Sequence, residues 1–99
     1  MTIDSYILRA KIFYVLGHFD SAKSLADSFR HYINLNKLIS EFHKQNLFNF
    51  LKFFRAIIRL KAKNNIAKAG KLLAELQTSS NTREKKWIIE MTEDLLKLK

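Results

Sequence analysis

The chain has no cysteine and no proline, and it holds only two glycines among its 99 residues. Without cysteine there is no disulfide framework, no thiolate zinc site and no thiol nucleophile, which agrees with a cytoplasmic home. Long uninterrupted apolar runs are also missing. Asp4, Arg9 and Lys11 break up the first fifteen residues, so no signal-peptide core is visible there. The most apolar stretch, "LFNFLKFFRAIIRL" at residues 47 to 60, contains Lys52, Arg55 and Arg59 and is too short and too charged to span a bilayer. No membrane partner is expected, and a Gly-rich phosphate loop and every other cofactor motif are absent.

Acidic residues are scarce. Nine of them face eighteen Lys and Arg, for a net charge of +9. The excess is concentrated: residues 36 to 79 carry nine basic side chains against two acidic ones, while the two flanking segments are each close to neutral. A basic surface of this kind favours acidic or phosphate-bearing partners. The apolar fraction of 47% is enough to build one small core, so a single domain over residues 1 to 99 is expected.

Strand-like alternation never persists. Apolar residues recur instead at spacings of three and four, which predicts an all-α fold of about five antiparallel helices. The first helix covers residues 3 to 16, with Tyr6, Ala10, Phe13 and Gly17 on one stripe and Ile7, Leu8, Ile12, Val15 and Leu16 widening it. The second starts near Asp20, placed as its cap, and presents Ala22, Leu25, Ala26, Phe29 and Ile33. After the break "NLN" comes an overlong third helix at residues 37 to 63, apolar around most of its circumference and expected to pack on two sides. The turn "KNN" leads to a fourth helix at residues 66 to 77, with Ile66, Ala69, Leu72, Leu73 and Leu76 inward. Asn81 and Glu84 have the spacing of a capping box for a last helix at residues 82 to 98, striped by Trp87, Ile88, Met91, Leu95 and Leu98. Its other side is charged, as suits a helix that caps a core.

Between the first two helices the link is so short that they must lie side by side, and Gly17 suits the positive φ that often follows a helix. Tyr6, Ala10, Phe13, Gly17, Phe19, Asp20 and Ala22 together resemble the tetratricopeptide repeat, a helix–turn–helix unit of about 34 residues. The resemblance covers residues 6 to about 33. It departs at Ala26 and Phe29, which reverse the family's large-then-small order, and no proline closes the unit. Asn64, Ile66, Ala69 and Leu73 echo the same turn in a degenerate second hairpin, residues 37 to 77. The order of segments is similar to the C-terminal parts of helical-repeat proteins of this kind. What the resemblance implies is a right-handed solenoid fragment that binds or scaffolds other proteins, with a concave surface formed by its first and third helices. The apolar excess of the first helix adds an expectation of an adjoining upstream repeat or a homodimer contact.

Candidate sites are few. His18, His31 and His43 fall on different predicted elements without acidic residues at ligand-like spacing, so solvated or capping roles are expected and no metal site. No serine elbow or paired-carboxylate pattern offers catalysis, and Glu84, Glu90, Glu93 and Asp94 pair with lysines at ordinary helix spacings. A non-enzymatic role is expected.

The notable feature is a basic stripe. Lys52, Arg55, Arg59 and Lys63 follow i, i+3, i+7 and i+11, and Lys61, Lys68 and Lys71 lie near the next turn. As a site, the stripe holds an acidic protein segment, a carboxylate terminus or a nucleic-acid backbone. As a plain solvated ridge it reflects the general Lys/Asn/Ile bias of the chain, and charge runs usually mark such ridges. The fourth helix offers lysines on its polar side, and no arginine or asparagine to reach base edges. Nucleic-acid binding is therefore the alternative function, without sequence specificity.

Overall fold

The computed structural model describes residues 2–97. Two expected stripe positions, Leu98 and the side chain of Ile66, lie outside the described residues. Five α-helices and no strand are found among them: α1 (Ile3–Leu16), α2 (Phe19–Leu35), α3 (Glu41–Ala62), α4 (Ala69–Thr78) and α5 (Lys85–Leu96), with a one-turn 3₁₀ helix at Ile66–Lys68. The all-α expectation is met. None of these helices is long and apolar enough to cross a membrane.

Local chemistry accounts for most helix ends. Thr2 caps α1 by accepting from the Ser5 amide at 3.2 Å. At the other end Gly17 adopts φ 77°, the His18 amide donates to the Phe13 carbonyl at 2.9 Å, and the Gly17 amide donates to Tyr14 at 3.1 Å. These two bonds form a Schellman motif, and they satisfy carbonyls that the end of α1 would otherwise leave bare. The expected positive φ at Gly17 is thus observed. A second Schellman motif closes α3, where Asn64 has φ 53° and the Asn65 amide donates to Leu60 at 2.9 Å. Asparagine tolerates this backbone region better than most residues, so "KNN" does at one turn what "LGH" does at the other.

Four expected boundaries need correction. Helix α2 begins at Phe19 with His18 in the cap position, so Asp20 lies inside the first turn and acts on the helix dipole without capping. Helix α3 begins at Glu41, not residue 37: Asn36 Oδ1 accepts from the Leu38 amide at 2.9 Å, and Ser40 then caps the helix by accepting from His43 at 3.2 Å. The fourth helix opens with the 3₁₀ turn and is α-helical only from Ala69. Lastly, the Asn81–Glu84 capping box does not form. Both residues have positive φ, and α5 starts at Lys85 without a side-chain cap.

Tertiary contacts hold that last turn in place. The Arg83 amide donates to the Asn46 carbonyl at 3.1 Å, and Asn49 Nδ2 donates to the Asn81 carbonyl at 3.1 Å. The Glu84 carboxylate pairs with Lys11, and Arg83 reaches Asp4 at 3.1 Å. The start of α5 is therefore tied to both α1 and α3.

The molecule is a slab of 43 × 28 × 16 Å between Cα atoms, two helices thick. Helices α1 and α2 pack as one hairpin and α4 and α5 as another, with α3 against α2, α4 and α5. Eight of the buried apolar side chains come from α3: Leu47, Phe50, Leu51, Phe53, Phe54, Ile57, Ile58 and Leu60. They give α3 the two-sided packing that its apolar circumference predicts. Ala10 on α1 and Ala22 and Ala26 on α2 are buried in this packing, and small residues of this kind allow two helices to approach closely. Tyr6 stacks on Phe29 with centroids 4.7 Å apart, and Phe13 and Phe19 pack half-buried at the rim of the core.

Two features of α1 and α5 escape the periodicity. Tyr14 is one of the largest buried side chains, with Phe54 and Trp87 against its ring at 6.4 and 5.7 Å, although its neighbour Phe13 carries the repeat-like spacing. Thr92 is buried in α5 and satisfies its hydroxyl on the Ile88 carbonyl at 2.8 Å. Conversely, of the five residues that widen the first stripe Ile7 is buried, while Leu8, Ile12, Val15 and Leu16 are 46–62% exposed.

Two measurable consequences follow from this packing. An added Cβ meets nothing within 4 Å at either Gly17 or Gly70, so backbone preference alone decides the outcome of substitution. Gly17→Ala is expected to destabilise by about 1 kcal/mol, and Gly70→Ala, inside α4, to stabilise by about 0.5–1 kcal/mol in urea unfolding. Burial, with a smaller contribution from Asp94, pushes the Tyr14 phenol up from 10.0 to about 12. The unfolded chain loses this proton first, so stability falls as pH rises from about 10 to about 12, by on the order of 2 kcal/mol. Tyr14→Phe should remove that loss, as read from thermal melts across the alkaline range.

Candidate binding groove

The buried series of α2 is Ala22, Ala26, Phe29 and Ile33. A series of the same spacing runs along α3 through Leu47, Leu51, Phe54 and Ile58. One position further on, the α2 series becomes polar throughout, with Lys23, Asp27, Arg30 and Asn34, and the α3 series becomes basic after Phe48, with Lys52, Arg55 and Arg59, continued by Lys63. One residue is a rotation of about 100° around a helix. In two antiparallel helices the same rotation turns both rows to the same side of the pair. The two rails therefore flank one groove.

The groove is observed where this geometry places it. Arg30 and Asn34 from α2 line one stretch together with Phe48, Leu51, Lys52, Arg55 and Arg59 from α3. Lys23 joins Arg55, Arg59 and Lys63 in the next. Beyond Arg59 and Lys63 a further depression continues to Lys68, Lys71 and Glu75 on the α4 side. Arg59 borders all three stretches.

Charge in this belt is one-sided. Eight cations line it, and Asp27 and Glu75 are the acidic residues. Asp27 accepts from Arg55 Nη2 at 2.6 Å. The pair leaves Asp27 largely solvated, with Arg55 the more enclosed partner, so solvent screens much of its energy. Among the described residues no other cation of the belt has a carboxylate within ion-pair distance. Lys52 places its ammonium 5.2 Å from the centre of the Phe53 ring, within cation–π reach.

Lys52, Arg55, Arg59 and Lys63, the four residues of the sequence stripe, are thus brought together on one groove wall. The opposite wall, Lys23 and Arg30, was missed. Its signal was present in the sequence: two cations seven residues apart, flanking the apolar stripe of α2 on one side. Lys61 belongs elsewhere, because its ammonium lies 4.8 Å from the Tyr14 ring on the α1 side of α3. His18, His31 and His43 are each exposed on separate stretches of chain. Among the described residues no three His, Asp or Glu side chains are grouped to hold a metal ion.

No family model matches the chain, and neither a curated protein nor a solved structure matches it.

Proposed function

We propose that the protein is a non-enzymatic protein-interaction or scaffold module that holds an acidic partner in the groove between α2 and α3. The observation that carries this reading is the two-sided cationic wall, in which Arg30, Lys52, Arg59 and Lys63 have no carboxylate partner among the described residues. Unpaired guanidinium and ammonium groups on two adjacent helices attract carboxylates from both sides, and arginine adds bidentate geometry. A tetratricopeptide-like helical repeat is the architecture we favour for the module. It rests on the α1–α2 hairpin with Gly17 at its turn and with Ala10 and Ala22 buried on its two helices. The cysteine-free sequence is what points to a cytoplasmic setting.

A second reading has its own observation. The belt extends past the groove to Lys68 and Lys71, giving a cationic surface broad enough to follow a phosphate backbone without reading bases.

The two readings separate in a binding series at low and moderate salt, with labelled polyglutamate and a random-sequence DNA duplex as probes. Polyglutamate should bind and weaken with salt. The double variant Arg59→Glu/Lys63→Glu should lose at least about tenfold in affinity with its melting temperature unchanged, while Lys86→Glu on the exposed side of α5 should bind normally. Tighter binding of the duplex than of polyglutamate supports the second reading. No binding of either probe at low salt removes both.

A further inference from the structure

Taking the acidic-partner reading as its basis, the geometry points to a narrower partner: we infer that the groove receives an amphipathic α-helix whose carboxylates line one face. The partner is recognised by the spacing of its charges as well as by their number.

Lys52, Arg55, Arg59 and Lys63 recur every three or four residues along α3, and Lys23, Asp27, Arg30 and Asn34 do the same along α2. Successive positions on each wall are therefore about 4.5–6 Å apart along the helix axis. A third helix lying in the groove carries side chains of one face at that same rise, so carboxylates at i, i+3 or i+4, and i+7 meet cations without bending either chain. From Lys52 to Lys63 the wall is about 16 Å long, enough for three turns of partner helix. The floor adds an apolar element, since Leu51 is 3% exposed and Phe48 packs half-buried beside it. A helix with one or two apolar residues between its carboxylates fits both the floor and the walls.

Two observations weigh against a single nucleic-acid strand as the occupant. Such strands are held largely by stacking of bases on exposed aromatic rings. Phe48 is the aromatic side chain lining this groove, and it is half-buried in packing. In addition, Asp27 stands within the α2 wall and accepts from Arg55, where it repels phosphates on either side. For a helix partner Asp27 is a local competitor: a carboxylate of the partner must take its place on Arg55.

The test uses three probes of about twenty residues or nucleotides. The first is an alanine- and glutamine-based helix with glutamates on one face at i, i+3, i+7 and i+10. The second is its isomer of identical composition with the glutamates spread around the circumference. The third is a single-stranded RNA. The one-faced helix is expected to bind at least tenfold more tightly than its isomer and to gain helicity on binding. Asp27→Asn is expected to strengthen its binding several-fold, with the melting temperature of the protein held as the control for folding. Equal affinity for the two peptides overturns the helix inference while leaving the acidic-partner reading in place. Tighter binding of the RNA overturns it too, and no binding of either peptide at low salt removes the acidic-partner reading itself.

Discussion

Everything else in this fold depends on the burial of α3. Twenty-two residues long, it turns Leu47, Phe50, Leu51, Phe53, Phe54, Ile57, Ile58 and Leu60 inward, so α2, α4 and α5 must all find places around it. At its centre the rings of Phe50 and Phe54 stack 5.5 Å apart within the core. A helix so fully covered has one main side left for water, and Lys52, Arg55 and Arg59 stand on it. The core and the cationic wall are two consequences of one sequence pattern.

Neighbouring helices then inherit their orientation. Because α2 runs back along α3, the residue after each buried position on α2 emerges on the same side as the residue after each buried position on α3. A groove with two basic walls follows from antiparallel packing and needs no special loop. The start of α5 is placed differently, by bonds from Arg83 and Asn81 to Asn46 and Asn49 of α3 and by the pairing of Glu84 with Lys11 of α1. These contacts hold Asn81 and Glu84 at positive φ, a backbone region that asparagine tolerates and that costs glutamate more.

What was legible in the sequence divides along the same line. The inward set of α3 and the stripe of α2 could be read from spacing, because burial there follows a single helical period. The turn at Gly17 could be read from a lone glycine between two periodic runs. Where a local signal competed with a distant one, reading failed. Asn81 and Glu84 have capping-box spacing, yet the salt bridge to Lys11 takes the carboxylate that the box requires. In α1, apolar residues surround the helix, and nothing in the period tells Tyr14, buried against Trp87, from Ile12 or Val15, which face outward. The basic groove was half legible: one wall is a run within one helix, while the other becomes relevant only once α2 is known to lie beside it.

The central claim is that the walls of α2 and α3 form a single recognition surface set by the packing beneath them. Amide shift mapping of ¹⁵N-labelled protein, titrated with the one-faced acidic helix, measures this directly. The account predicts the largest shifts at Arg30, Asn34, Lys52, Arg55 and Arg59, on both walls together, with α5 and the outer side of α1 unmoved. Shifts confined to one wall, or spread evenly over every exposed lysine of the protein, would contradict it.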